Sequence, residues 1–406
     1  MPTAGLPRDL LLAHDFPPMD GGIARWMAAL AHGYPPGTLT VSTGTVAGSV
    51  AADALSPQRI DRVAMPVGRL RTVPGVIAWS RWAASFGRDP AARFAWCDTI
   101  RPAGYAAHWA YRRTRLPYGI MVVGNDLLTL RSKIAHGGFT RGVMRAILGD
   151  AAVFVAISQW TAEQCRELLQ ALSLPLARAR VRVVPLGTDP ARWRVDRAAA
   201  AAFRHRRGLP DGRWLVTVAR LVEYKGIDTG IRLLARLGRD HDNLHYAIVG
   251  RGPQEASLRA LATDLSVGHR VHLLTDVGDA ELPAAYSIAE IYVGLTRETP
   301  DDVEGFGISL VEAAACGLPV IAARSGGIPD AVADGETGRL VDPHDLAAIE
   351  AVARQLLGDP QRARQLGDAG RDRVERHLNW DRVVREMRAI AAECGRAPTA
   401  LSPPSP

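Results

Sequence analysis

Apolar residues fall along this chain in short, nearly unbroken runs. Between the runs lie longer stretches in which they recur every three or four positions. The runs at 9–15, 38–43, 94–100, 118–124, 151–158 and 181–185 read as strands of one half. Those at 214–219, 245–250, 271–275, 291–296 and 319–323 read as strands of the other. Helical spacing follows at 23–31 and at 307–315, where Ile308, Val311, Ala314 and Ala315 form the expected buried side. Three more helices are predicted near the C-terminus, at 343–357, 360–377 and 380–394. Wholly apolar strands alternating with amphipathic helices predict parallel sheets covered on both faces, an α/β, doubly wound architecture. At 406 residues the chain has room for two such domains or one large one.

Chemistry concentrates in residues 302–329, DVEGFGISLVEAAACGLPVIAARSGGIP. Glu304 and Glu312 are separated by seven residues. Glu304 stands in a turn with Gly305, Phe306 and Gly307 just ahead of a helix. There the first backbone N–H groups and the positive end of the helix dipole face whatever lies in front. The glycines carry no Cβ, so a ligand can come close to the backbone. Glu312 follows about two turns later, where its carboxylate can accept hydrogen bonds from a vicinal diol such as a ribose. A second glycine turn, Ser325-Gly326-Gly327, ends the next strand. Near the N-terminus, Gly21 and Gly22 follow the first strand and open a helix. That turn can hold a phosphate or sugar, or can simply be a tight turn.

The 302–329 stretch resembles the E-x7-E motif and the PVIA…GG.P signature of the retaining glycosyltransferases of family 4. It is most similar to the branch of bacterial phosphatidylinositol mannosyltransferases and polysaccharide-assembling enzymes. Other segments resemble the same family. Arg220-Leu221-Val222-Glu223-Tyr224-Lys225-Gly226 is similar to its GRL…KG motif, and Val249-Gly250-Arg251-Gly252-Pro253 to IVGxGP. Thr275-Asp276-Val277 is similar to the segment that holds the nucleobase through backbone groups. Residues 280–286 match a helix of the pattern eL…Y, and Leu186-Gly187-Thr188-Asp189 an interdomain segment. One position departs from the pattern. Val123 stands where the family has a histidine, with Gly124 and Asp126 after it, so a histidine-assisted role is in doubt. His14 and His108 read as packed or exposed residues rather than replacements. Asp126 is the better candidate for a sugar or acceptor contact.

The resemblance implies a GT-B fold, two Rossmann-like domains facing a central cleft. The expected divisions are an acceptor domain at 1–186 and a nucleotide-sugar donor domain at 187–377. A helix at 378–397 should cross back to the first domain, and 398–406 should be a disordered tail. It further implies metal-independent transfer of a hexose, with retention, from a nucleotide-diphosphate sugar to a hydroxyl of a lipid-linked or saccharide acceptor, in cell-envelope glycan or polysaccharide assembly. The expected catalytic residues are Glu304, Arg220, Lys225 and Asp126. Donor binding is expected of Gly21, Gly22, Arg220, Lys225, Gly250, Thr275, Val277, Glu304, Gly305, Phe306, Gly307 and Glu312. Two fixed cations can neutralise a leaving diphosphate as charge builds on it. No cofactor is expected, the donor being a GDP- or UDP-linked sugar used as substrate. A GT-B epimerase or phosphorylase, and a non-catalytic sugar-nucleotide binder, remain alternatives; Val123 is the only feature favouring the binder.

Composition adds three points. The chain has only two lysines, Lys133 and Lys225, among 49 basic residues, and one of them falls on the motif position where a compact ammonium suits phosphate. Residues 1–186 carry a net charge of +10 and the remainder −3. The excess gathers with aromatics around Arg69, Arg71, Trp79, Arg81, Trp82, Phe86 and Arg88, and at Arg112, Arg113 and Arg115, as an anionic membrane surface or acceptor would favour. No nucleic-acid motif accompanies it. Cys97, Cys165, Cys316 and Cys394 are far apart with no CxxC pair, which reads as reduced thiols. With no membrane-length apolar run and no signal-peptide pattern, the expectation is a cytoplasmic protein, possible at the inner face of the membrane. Asp301 and Asp302 tempt a metal reading but are assigned to a loop.

Overall fold

The structure is a computed structural model and describes residues 6–19, 21–63, 72–175, 180–238, 240–300 and 302–397. Arg69, Arg71, Asp301 and the 398–406 tail fall outside the described residues. The chain divides into two units, Met1–Val184 with Trp380–Pro406, and Pro185–Asn379.

In the first unit β1 (Arg8–Ala13), β2 (Leu39–Gly44), β3 (Arg59–Val63), β4 (Ala92–Cys97), β5 (Tyr118–Val122), β6 (Val153–Ala156) and β7 (Val181–Val183) form one parallel sheet. Its order is β3-β2-β1-β4-β5-β6-β7. The second unit holds β8 (Arg213–Val218), β9 (Leu244–Val249), β10 (Val271–Leu274), β11 (Ile291–Gly294), β12 (Val320–Ala323) and β13 (Gly338–Val341). These are also all parallel, in the order β10-β9-β8-β11-β12-β13. Strands β5, β6, β9, β11 and β12 are buried at every position, because helices cover both faces of each sheet. That is why they appear in the sequence as unbroken apolar runs.

The two strands that the apolar pattern does not predict, β3 and β13, lie at sheet edges. RIDRV of β3 is partly exposed along its whole length, since an edge strand pairs on one side only and charge there discourages further pairing.

Each sheet reverses its strand order once, between β1 and β4 and between β8 and β11. In open α/β sheets, ligands bind outside the carboxyl ends of the strands at such a reversal. At the first reversal the wholly buried Asp98 follows β4. Its carboxylate accepts from the backbone N–H of His14 at 2.6 Å and of Asp15 at 3.1 Å, and from the Thr99 hydroxyl at 2.9 Å. Burial raises its pKa to about 6, against these hydrogen bonds.

The Trp380–Cys394 helix belongs to the first unit and packs on β4 and on the Gly22–Gly33 helix, with Val384 against Gly33. Beyond it, the Arg396 backbone donates to Arg93 O at 3.0 Å and its guanidinium to Gly87 O at 2.9 Å.

One part of the basic–aromatic surface expected from sequence is core instead. Trp79 is fully buried, its indole N–H on Ser42 Oγ at 2.8 Å, and Trp82 and Phe86 stack 6.0 Å apart against the core. The helical register of 72–86 points these rings inward. An aromatic that is exposed beside arginine lies elsewhere: Trp109 is 40% exposed, with the Arg113 guanidinium 3.5 Å from its ring centre.

Candidate active site

The second unit assembles a site at its strand reversal. The Thr217 hydroxyl near the end of β8 hydrogen-bonds Val293 O of β11, fixing the two strand ends that flank the reversal. Beyond β8 the backbone is zipped to the loop after β9. Leu221 N donates to Arg251 O at 2.9 Å, and Gln254 N to Leu221 O at 3.1 Å. Gly250 makes that approach possible. It has φ +145°, and a Cβ there would lie 1.9 Å from Ala219 O. Residues 223–225 then form one turn that delivers Lys225.

The Lys225 ammonium pairs with Glu304 Oε2 and lies 4.9 Å from the Tyr224 ring centre. Burial opposes the ammonium's charge, but the Glu304 carboxylate and Tyr224 outweigh it, so its pKa is raised and the lysine stays charged at neutral pH. Arg220 is exposed, with its Nη2 donating to the Tyr224 hydroxyl at 3.2 Å. Both cations therefore border the same tyrosine.

Glu304 sits in a turn held from below. Gly327 N donates to Glu304 O at 2.9 Å, and a Cβ on Gly326 (φ +52°) would lie 2.4 Å from the same oxygen. Gly305, Phe306 and Gly307 complete the turn, with Phe306 buried as its anchor. Gly307 is left-handed and starts the Ile308–Ala315 helix, to which, as a glycine N-cap, it offers no side-chain cap. Glu312, on that helix, is only 2% exposed, and its Oε2 accepts from the Tyr286 hydroxyl at 2.9 Å. Burial, and then the adjacent carboxylate, raise the pKa of Tyr286 well above the usual phenol value.

Next to these groups, at the ends of β8 and β11, is a pocket with about 280 Å³ of empty space, part of it open to solvent. Lys225, Glu304, Thr296, Ser309, Tyr292 and Thr217 are among its lining residues. The Tyr292 hydroxyl donates to Ser309 Oγ at 2.8 Å in its wall. Nearby, Arg251 Nε donates to the carbonyl of Thr275, at the start of the 275–277 segment. Asp276 pairs with Arg207 at 2.6 Å, and Val277 follows in the same loop.

Two further residues were not found from the sequence. Arg297 N donates to Tyr224 O at 2.7 Å, and its guanidinium reaches Glu223 O at 3.2 Å and Asp228. Glu298 accepts from Gly326 N at 2.8 Å and from the Ser325 hydroxyl at 3.4 Å. This short clip ties the turn bearing Lys225 to the turn beneath Glu304. Its only trace in the sequence is a pair of opposite charges after a strand, which names no partner.

Gly21, Gly22 and Asp126 belong to the first unit, and the constellation above to the second. Gly21 (φ +133°) precedes the Gly22–Gly33 helix, and no side chain caps it. Asp126 occupies the first turn of the Asn125–His136 helix, with Oδ1 accepting from Gly124 N at 3.1 Å. Its Oδ2 is buried with no hydrogen-bond partner among the described residues, and burial raises its pKa. His108 stands 3.4 Å from Asp150, and burial lowers its pKa. Ser158 caps the Gln159–Ala171 helix through Thr161 N. Among the described residues no group of three or more His, Cys, Asp or Glu side chains is placed to hold a metal ion.

Residues 202–373 match the family described as "Glycosyl transferases group 1", a span that contains every element of the pocket. The second unit is a group 1 glycosyltransferase domain. Its motifs are those by which the sequence resembles the family 4 enzymes. A GDP-mannose-dependent alpha-(1-6)-phosphatidylinositol monomannoside mannosyltransferase of Mycolicibacterium smegmatis is 38% identical over 242 residues, 59% of this chain and 62% of that protein. The protein of the same description from Mycobacterium tuberculosis H37Rv is 35% identical over 249 residues, 61% of this chain and 63% of that one. The match thus spans somewhat less than two thirds of these relatives' own length. Anabaena HepE in complex with UDP and glucose superposes with a TM-score of 0.77 at 18% identity, covering 95% of this chain and 99% of that one. WaaG, a glycosyltransferase involved in lipopolysaccharide biosynthesis, does so with 0.64 at 16%, covering 94% and 99%. The fold around the group 1 domain is therefore GT-B, of two parallel sheets with flanking helices.

Proposed function

We propose that the protein is a retaining, metal-independent hexosyltransferase. It would move mannose or a similar hexose from a GDP- or UDP-linked sugar to a hydroxyl of a lipid-linked or saccharide acceptor, in cell-envelope glycan or polysaccharide assembly. The observation carrying this reading is the convergence of Lys225, Glu304 and the glycine turn of an uncapped helix on one pocket at the strand reversal of a group 1 domain. A mannosyl donor is favoured by the relatives that use GDP-mannose.

Lys225 and Arg220 would stabilise the diphosphate as its bond to the anomeric carbon breaks. Glu304 and the amides at 305–307 would grip the hexose, and Glu312 would take the ribose. The acceptor oxygen would form its new bond on the face the diphosphate leaves. Its proton would pass to a diphosphate oxygen, so no protein nucleophile is needed and configuration is retained. By the family resemblance, Gly21 and Gly22 would contact the donor, and Asp126 the sugar or the acceptor.

Among the described residues no helix is long and apolar enough to cross a membrane. Peripheral binding to an anionic membrane surface would use the basic first half. The exposed Trp109 with its stacked Arg113, on the Ala103–Thr114 helix, suits such an interface.

Thermal unfolding with GDP, UDP and ADP tests the donor site, because a ligand that binds only the folded state raises Tm by mass action. One nucleotide should shift Tm by several degrees, and the corresponding labelled sugar nucleotide should be slowly hydrolysed. Stabilisation by none of them overturns the reading. Stabilisation without either hydrolysis or transfer would favour a non-catalytic binder.

A further inference from the structure

The pocket contains one buried polar group that the fold itself does not use. Thr296, two residues after β11, is 6% exposed and lines the pocket together with Lys225 and Glu304. Its Oγ1 is inaccessible to solvent and has no hydrogen-bond partner among the described residues. Its surroundings show the contrast. The Thr217 hydroxyl bonds Val293 O and the Tyr246 hydroxyl, and Tyr292 bonds Ser309 and Val218 O. Buried hydroxyls are nearly always paired, since an unmet one loses its hydrogen bonds to water and gains nothing in return. An unmet hydroxyl in the wall of a ligand pocket is explained when a ligand oxygen completes it.

We infer that Thr296 is a further donor-contacting residue, whose hydroxyl hydrogen-bonds an oxygen of the diphosphate–hexose portion of a nucleotide sugar. This rests on the donor-site reading above and adds a specific ligand to it. The placement fits. Lys225 beside it is a cation for phosphate oxygens, and Glu304 is an acceptor for hexose hydroxyls. A threonine hydroxyl can donate to the first kind of group and either donate to or accept from the second.

The test uses the full chain with Thr296→Val, which keeps the shape and removes the hydroxyl, and Thr296→Ser, which keeps the hydroxyl. For each, the ligand-free Tm, the Tm shift with GDP, UDP and their mannose and glucose conjugates, and kcat/KM for the donor are measured. Thr296→Val should leave the ligand-free Tm unchanged or slightly higher, because no bond is lost. It should diminish the ligand-induced shift and lower kcat/KM about ten- to a hundredfold, the range for a hydrogen bond to a charged or strongly polar partner. Thr296→Ser should restore most of both. If the nucleoside diphosphate alone already separates valine from wild type, the partner is a phosphate oxygen. If only the sugar conjugate does, it is a hexose hydroxyl. A valine variant with wild-type ligand shifts and kcat/KM overturns the inference while leaving the donor site standing, as does one whose only change is a lower ligand-free Tm. Wild-type protein that responds to no nucleotide overturns the donor site itself.

Discussion

At the scale of single residues, the proposed donor site turns on the contact between Lys225 and Glu304. Without a ligand the ammonium and carboxylate neutralise each other, their side chains 13% and 19% exposed. A buried charge is costly unless paired, and on the proposed reading a diphosphate and a sugar would take the place of this contact. Lys225→Ala should therefore lower turnover by ~10²-fold or more, the usual effect of losing a preorganised charge stabiliser; near-normal steady-state turnover would discredit its role. Glu312 makes a separate prediction. Because its Oε2 accepts from Tyr286, Glu312→Gln retains an acceptor for that hydroxyl and should hold Tm close to wild type. If its carboxylate also takes the ribose, the same variant raises the donor KM several-fold. A fall in Tm with an unchanged KM would reduce Glu312 to a packing role.

The turns between elements decide whether these residues meet. Lys225 and Glu304 are 79 positions apart, and the clip Arg297–Glu298 lies between the two turns that carry them. Arg297→Ala removes the guanidinium from Glu223 O and Asp228 and loosens the Lys225 turn, leaving only the backbone bond from residue 297 to Tyr224 O. We expect kcat to fall about tenfold with little loss of global stability, as a misplaced catalytic group usually costs rate first. Unchanged kcat would show that the turn holds itself. Gly250→Ala acts on another junction. Its Cβ would meet Ala219 O and its φ lies where side chains are strained, so the β8 and β9 ends must part. The expected cost is about 1–3 kcal/mol of stability by denaturant titration. Junctions of this kind were legible from the sequence as glycine motifs, VGRGP and EGFG, because a close backbone approach admits only one residue type. The Arg297–Glu298 clip was not, since a charged side chain in a loop says nothing about which carbonyl it will find.

For the whole molecule, pH should reveal a cluster remote from the pocket. Trp214, His245 and His272 lie against one another near the N-terminal ends of β8, β9 and β10, with ring centres 4.9–5.4 Å apart. Burial, and then His245, push the pKa of His272 down to about 4, and burial with Arg270 and His269 lowers that of His245. A histidine held neutral in the folded state but titrating at about 6.5 when unfolded contributes stability above that pH. The contribution is lost as pH falls from about 6.5 toward about 4. Urea midpoints measured across this range should drop in the wild type and drop less in His272→Gln; parallel profiles would refute the assignment. Asp98 works in the opposite sense. Its carboxyl, raised to about 6, binds its proton more tightly when folded, so its contribution declines as pH rises from about 4 to about 6.

Local order determined much of this protein in advance. Apolar runs specified the buried strands, helical spacing the covering helices, and glycines with paired charges the group 1 motifs, because burial on both faces, amphipathicity and steric approach each restrict residue type at the position itself. Edge strand β3 escaped that pattern, since pairing on one side relaxes the demand for apolar residues, and β13 escaped it as a four-residue strand although it is mostly buried. What tertiary structure alone decided is which distant groups meet. It put Trp79 in the core, Glu312 against Tyr286, Arg297 on the Lys225 turn and, in the pocket wall, a Thr296 hydroxyl with no partner among the described residues. A residue's type fixes what it can bond, but only the path of the chain between two positions fixes whether a partner is there.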